Sequence, residues 1–251
     1  MSKDTSIIPI NDEFNKDDET IYTKSFMFIK GFCIAENYEQ TLIALAIARK
    51  LHDGQYRKDG SPYITHPLKV CSTLIDCGIR DDITLAASLL HDILEDCQDK
   101  LPLDGRELIS EFSLNKEVLD ICKILTKESD LDQHELSLYF NRIKRDPKAL
   151  LIKLADRLHN SATLYAFSPD KLKKYTKETN DFILPMASYG KLYYPKYTNA
   201  ISILKSNIYS LNHSMEVVVE SYENHLKEIK IEHAEEVERL KTKLVYKEEE
   251  K

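Results

Sequence analysis

Apolar residues recur at helical spacing along most of the chain. Ile43, Ala44, Ala46, Ile47 and Ala48 open one such pattern, which Gly54 ends. The stretch QYRKDGSPYITHP that follows has turn chemistry, because Asp59-Gly60 and Ser61-Pro62 interrupt any regular element. A helical pattern resumes from Lys69 to Cys77 and stops at Gly78. Asp81 or Asp82 is placed to cap the next helix, whose apolar positions include Ile83, Leu85, Ala86, Leu89, Leu90, Ile93 and Leu94. Further helices fit residues 104–112, 115–126, 132–145, 147–165, 169–188 and 190–210. Nowhere does strict alternation run long enough to build a sheet, so the sequence predicts an all-α fold.

The last forty residues have a different pattern. Met215, Val219, Tyr222, Leu226, Ile229, His233, Val237, Leu240 and Leu244 are spaced 4-3-4-3-4-4-3-4, without Gly or Pro. This is a heptad seam with one irregular step. It reads as a coiled coil that joins subunits or reaches a partner, or as a solvated terminal helix lying on its own domain. Three regions follow: an acidic tail over 1–20, a body over 21–211 and a C-terminal helix over 212–251.

With 251 residues, 42% hydrophobic and 31% charged, the chain has room for one large domain or two small ones and the composition of a soluble globular protein. No stretch approaches the roughly 20 apolar residues of a membrane span, and the start lacks a secretory apolar core, which predicts a cytoplasmic protein. Five cysteines, Cys33, Cys71, Cys77, Cys97 and Cys122, never form CxxC, which disfavours a zinc ribbon or a disulfide framework. The net charge of −7 resides at the ends: residues 1–20 and 212–251 each carry −4, leaving the body near +1. That distribution gives no footprint for duplex nucleic acid. A local basic pocket for a small phosphorylated ligand stays open.

Two His-Asp dipeptides occur. His52-Asp53 ends a helix before Gly54, whereas His91-Asp92 lies in a strongly apolar helix and is followed by Glu95-Asp96. His91 and Glu95 are four apart, as are Asp92 and Asp96, so each pair shares a face. One imidazole and three carboxylates among aliphatic neighbours are costly unless a cation compensates them. Mixed donors of this kind suit Mn²⁺, Fe²⁺ or Zn²⁺. A polar face turned to solvent is the other reading of this segment alone. His66 follows the turn and precedes Pro67, an exposed but fixed position. Asp156 interrupts the apolar helix LLIKLADRLHN, with Asn160 and Thr163 following on its face. His66, His91, Asp92 and Asp156 can therefore form a four-ligand site drawn from three elements.

These words also carry a resemblance. The order H…HD…D is similar to that of HD-domain metal phosphohydrolases. YRKDGSPYITHP, DDITLAASLLHDILED and LIKLADRLHN resemble the hydrolase domain of the RelA/SpoT homologues, over about residues 37–200. The resemblance implies an HD-domain helical bundle and a stand-alone small alarmone hydrolase. Its activity would be that of a manganese-dependent guanosine-3′,5′-bis(diphosphate) 3′-pyrophosphohydrolase, releasing pyrophosphate from ppGpp or pppGpp and leaving GDP or GTP. It implies that His66, His91, Asp92 and Asp156 hold one Mn²⁺, and that Glu95 and Asp96 position and deprotonate the attacking water. It further implies that Arg57 lies against the purine, that Lys58 contacts the ligand, and that Asn160 and Thr163 meet the nucleoside. Lys173, flanked by Lys171 and Lys174, falls near a phosphate-binding lysine.

Two departures bear on base preference and affinity. Ser161-Ala162 stands where the family commonly has Met-Arg, and Asp59 stands where a small polar residue is common. Two other readings accompany the leading one. The same site can act on an adenine alarmone or on the phosphate of NADPH. Alternatively, the protein binds or neutralises a partner through its terminal helix. Its expected partners are a small nucleotide and possible further copies of the chain through that helix, with no nucleic acid and no membrane.

Overall fold

The computed structural model describes residues 19–101, 105–128, 130–163 and 168–249. Most of the expected acidic tail lies outside the described residues. Twelve α-helices are described: α1 Glu19–Glu36, α2 Glu39–Leu51, α3 Thr65–Asp76, α4 Asp82–Leu90, α5 Ile93–Asp96, α6 Glu107–Phe112, α7 Lys116–Leu125, α8 Gln133–Ile143, α9 Pro147–Ala162, α10 Pro169–Glu178, α11 Leu184–Tyr193 and α12 Thr198–Glu249. Among the described residues the only β-type pairing is one isolated bridge, Tyr56 to Pro62. The all-α expectation therefore holds.

Local chemistry explains where the helices start. Asp81 caps α4 by accepting from the Thr84 amide at 3.0 Å. The neighbouring Asp82 serves a different helix: its carboxylate accepts from the Gln40 and Thr41 amides at 2.9 and 2.8 Å and caps α2. Asp132 and Glu135 form a capping box on α8. Asp146, with Pro147 in the first turn, caps α9 through the Lys148 and Ala149 amides. Gly78 takes a left-handed φ of 85° just after α3, where only glycine is unstrained.

Helix α4 lies at the centre, packed against α2, α3, α7 and α9. Leu45, Leu74, Leu85, Leu89, Leu150 and Leu154 are wholly buried between these helices. Such burial is worth about 1.5–3 kcal/mol per large side chain, which fixes the site's three carrier helices, α3, α4 and α9, relative to one another.

Four details differ from the sequence expectations. Helix α1 precedes the first expected helix and buries Phe26, Ile29 and Cys33. Helix α3 starts at Thr65 rather than Lys69, because Pro67 is tolerated in a first turn. A five-residue π-helical segment, Thr179–Ile183, divides what reads as one helix over 169–188. Gly190 lies inside α11 and the break comes at Pro195–Tyr197. Glycine there permits close packing rather than a turn: a Cβ would meet Ile201 Cδ1 and Leu150 Cδ1 at 3.0 Å.

Helix α12 is 52 residues long and runs without a break through residue 212. Ala200, Ile201, Leu204, Ile208 and Asn212 are buried on the body, and Val219 is the last buried apolar side chain among the described ones. Beyond it Tyr222, Leu226, Ile229, Val237 and Leu240 are exposed.

Candidate active site

The sequence reads as one helix from Asp82 to Asp96, but the chain turns at His91-Asp92, between α4 and α5. The turn redirects both side chains to one point while keeping Asp96 N on Asp92 O at 2.9 Å. His66 arrives from the first turn of α3 and Asp156 from the middle of α9. Contrary to the expected exposure of His66, it is buried, 1% exposed, because α9 packs over α3.

His66 Nε2 lies 3.2 Å from His91 Nε2 and 3.2 Å from Asp92 Oδ2. His91 Nε2 lies 3.1 Å from Asp92 Oδ2. Asp156 Oδ1 is 3.3 Å from His66 Nε2 and 3.9 Å from His91 Nε2. Donors that share one first-row cation at about 2.1 Å stand roughly 3.0–3.4 Å apart, so the His66, His91 and Asp92 separations fit a single divalent ion, while Asp156 stands in that range from His66 and 3.9 Å from His91.

The hydrogen bonds behind the donors fit it as well. His91 Nδ1 lies 2.7 Å from the Ser88 carbonyl, to which it donates, leaving Nε2 free for the site. His66 Nδ1 lies 2.7 Å from His159 Nδ1. For His66 Nε2 to offer a lone pair, its proton must sit on Nδ1 and be donated to a neutral His159. Burial, together with nearby His66 and Arg57, pushes His159 down to about 3, which keeps it neutral. Asp156 gives its second oxygen to Lys153 Nζ at 3.0 Å and accepts from Asn160 Nδ2 at 2.6 Å on its first.

The charges show that the cluster calls for a cation. Burial opposes ionisation of Asp92, yet His91 and His66 hold its carboxyl well below the usual range. Burial likewise opposes the charged form of His91, but Asp92 and Asp156 outweigh it and lift the imidazole to about 10. A positive charge on His91 is thus stabilised where a metal's charge would be.

The neighbouring acids are held in two ways. Glu95 accepts from the Lys127 amide at 2.5 Å, and burial pushes it up to about 7. Asp96 is hydrogen-bonded by the Tyr63 hydroxyl, which also lies 3.0 Å from Asp92 Oδ2. The Tyr63 ring stacks on His52 at 4.7 Å. His52 therefore stands behind the site, with Nδ1 2.8 Å from Gln55 Oε1.

A polar wall continues from Asp156. Asn160 and Thr163 both accept from the Arg57 guanidinium, at 3.2 and 3.3 Å. Arg57 is presented by the 55–63 turn, closed by Arg57 N to Ser61 O at 2.8 Å and by Gly60 at φ 83°. Asp59 turns its carboxylate onto the Ser61 amide and hydroxyl, at 3.0 and 2.6 Å. Lys58 lies against Lys171 of α10, and that contact, before desolvation, lowers the Lys171 ammonium from its ordinary range. Lys173 instead forms an ion pair with Glu223 on α12. Ser161 is buried and Ala162 exposed.

Sequence reasoning did not single out Tyr63, Lys153 or His159. Each was in view inside a quoted motif. Only the fold shows that they stand directly behind His66, Asp92, Asp96 and Asp156.

Comparison with known proteins comes to the same place. The HD domain family matches residues 44–188. The chain is 37% identical over 147 residues to a guanosine-3′,5′-bis(diphosphate) 3′-pyrophosphohydrolase of Haemophilus influenzae, covering 56% of this chain and 21% of that protein. It is 36% identical over 148 residues to the bifunctional (p)ppGpp synthase/hydrolase SpoT of Escherichia coli K12, covering 57% and 21%. A GTP pyrophosphokinase of Streptomyces coelicolor is 37% identical over 145 residues, covering 57% and 17%. The chain thus spans about a fifth of the length of these relatives. Among solved structures, a metazoan ortholog of SpoT, described as hydrolysing ppGpp, superposes with a TM-score of 0.55 at 20% identity, covering 70% of this chain and 94% of that one. By the HD match over more than half its length, with the buried His-Asp cluster at the centre of the matched region, the chain belongs to the HD-domain family.

Proposed function

We propose that the chain hydrolyses the 3′-diphosphate of guanosine alarmones, adding water across the 3′ phosphoester bond of ppGpp or pppGpp to give pyrophosphate and GDP or GTP. One observation carries the reading: three converging donors, His66, His91 and Asp92, with Asp156 3.3 Å from His66 Nε2, stand beside a carboxylate, Glu95, whose burial lifts it to about 7. Relatives include both hydrolases and a pyrophosphokinase by name, so identity alone does not choose between them. The intact donor set with Glu95 and Asp96 favours hydrolysis.

His66, His91, Asp92 and Asp156 would hold one divalent ion, taken as Mn²⁺. That ion supplies Lewis acidity, lowering the pKa of water and neutralising phosphate charge. Glu95 takes the proton from the attacking water, as a base poised near neutral pH does best. Asp96, fixed by Tyr63, orients that water. Arg57, Asn160 and Thr163 form the wall for the nucleoside, with the guanidinium offering a flat face to the purine. The adjacent ammonium groups of Lys58 and Lys171 attract an anion, and this pair is assigned to the diphosphate; Lys173, turned to Glu223, braces α10 on α12. The reading includes a cytoplasmic setting and self-association through the exposed part of α12. Among the described residues no helix is long and apolar enough to cross a membrane.

The test is product analysis by anion exchange. The chain is given Mn²⁺ and ppGpp, ppApp or NADPH in separate reactions, with EDTA controls. Metal-dependent GDP and pyrophosphate from ppGpp is the expected result. Turnover of ppApp or NADPH alone would move the substrate, and no turnover of any would refute the reading.

A further inference from the structure

The exposed part of α12 carries a symmetry that the body does not explain. Take His233 as a centre. Ile229 and Val237 lie four residues to either side, Leu226 and Leu240 seven, and Tyr222 and Leu244 eleven. The irregular 4-4 step of the seam falls at His233, where the apolar pattern reverses and repeats in mirror order. A single helix packing on its own domain gains nothing from a mirror. Two copies running in opposite directions do, because each copy then presents the other's partner residue at every level.

We propose that two copies of the chain pair antiparallel through residues 219–247 of α12, with the two-fold axis passing beside His233. The levels are then Ile229 on Val237, Leu226 on Leu240 and Tyr222 on position 244, each repeated on the other side of the axis. An isologous contact of this kind closes at two copies. In heptad terms each level joins an a position to a d position, the arrangement that antiparallel helices need.

The surface to be covered is present. Tyr222 is 47% exposed, Leu226 37%, Ile229 45%, Val237 36% and Leu240 49%, all on one seam of a helix whose described ties to the body beyond Val219 include the Lys173–Glu223 ion pair but no buried apolar side chain. Isolated helices of this length in water gain most of their stability from packing an apolar face, and nothing in the described body covers this one.

Charge fixes the direction. Residues 239–247 carry Arg239, Lys241, Lys243 and Lys247 and no acid, a net of +4. A parallel pair would set this block against itself. The antiparallel pair sets it against residues 219–227, which carry Glu220, Glu223 (itself paired with Lys173 of α10) and one lysine, a net of −1, and so avoids the clash of like blocks. The acidic stretch 228–238 meets itself in either direction and does not discriminate. The arrangement also places the two bodies about 42 Å apart along the rod, at 1.5 Å per residue, so they need not fit against one another.

Sedimentation equilibrium of the full chain is expected to give a dimer at about 0.1 mM, with Leu226→Glu/Ile229→Glu a monomer that keeps its turnover. Direction is read by a short bismaleimide cross-linker in a Cys77→Ser background, the other native cysteines being buried. Leu226→Cys mixed with Leu240→Cys should cross-link, and Leu226→Cys alone should not, since its two copies stand about 21 Å apart. A monomeric parent chain, a dimer that survives both glutamates, or efficient cross-linking of Leu226→Cys to itself would overturn the proposal.

Discussion

His159 offers the sharpest test of how the site is built, because its role depends on one proton. The 2.7 Å contact between His66 Nδ1 and His159 Nδ1 leaves room for a single hydrogen. With His159 held down at about 3 by burial and its cationic neighbours it is neutral and free to accept, so that hydrogen sits on His66 whenever His66 Nε2 serves as a lone-pair donor. In His159→Ala the buried Nδ1–H has no acceptor, a penalty of about 1–3 kcal/mol. The imidazole then gains by moving its proton to Nε2, which points into the cluster and cannot ligate. Loss of such a supporting partner lowers metal affinity about 10–100-fold, or roughly 1.4–2.7 kcal/mol. Titration calorimetry of the metal-free chain with Mn²⁺ measures this directly. His159→Gln, whose amide oxygen can accept from His66, should recover part of the loss. Unchanged affinity in the alanine variant, or a glutamine variant no better than alanine, would refute the tautomer argument.

Other consequences follow from neighbouring groups. Glu95→Gln should keep its metal and lose about 10²–10⁴ in kcat, read by single-turnover kinetics; an unchanged rate removes Glu95 from the base role. Because Asp92 and Asp156 lift His91 to about 10 in the metal-free cluster, binding must expel its proton, so apparent Mn²⁺ affinity should rise with pH up to that value. A pH-independent affinity between about 6 and 9 would contradict it. Tyr63→Phe keeps the stack on His52 but removes the hydroxyl from both Asp96 and Asp92; at saturating Mn²⁺ kcat should fall at least about tenfold with KM unchanged, whereas a full recovery of kcat by added metal would mark a role in holding the ligand alone. Gly190→Ala should cost about 1–3 kcal/mol in urea unfolding, since its Cβ would press on Ile201 and Leu150; an unaltered midpoint would show that those leucine and isoleucine tips yield freely.

Much of the chemistry could be read in the sequence because it resides in residue types that apolar helices do not otherwise carry. Asp156 within LLIKLADRLHN and Asp92 after LAASLLH declare themselves by being costly where they stand. What the spacing could not show was the turn at His91-Asp92. That turn depends on where the two side chains find partners, not on any helix-breaking residue. The burial of His66 was hidden for a similar reason, since Pro67 reads as exposed turn chemistry until α9 covers it. Asp81 and Asp82 were indistinguishable as caps, and the fold uses both, one on its own helix and one on α2. Lys171 and Lys173 differ only by the two-residue rotation of α10, about 200°, which sends one towards Lys58 and the other towards Glu223.

The projecting length of α12 also governs how the molecule moves through water. Some 30 residues beyond Val219 amount to a rod of about 45 Å, about as long as a compact domain of this mass is wide. Friction scales with the longest dimension, so even a single copy should diffuse slowly and elute early from a sizing column, at an apparent mass well above 29.1 kDa. An antiparallel pair would add a second body at the far end of the same rod, giving a dumbbell in which two pockets tumble together yet remain separately open to solvent.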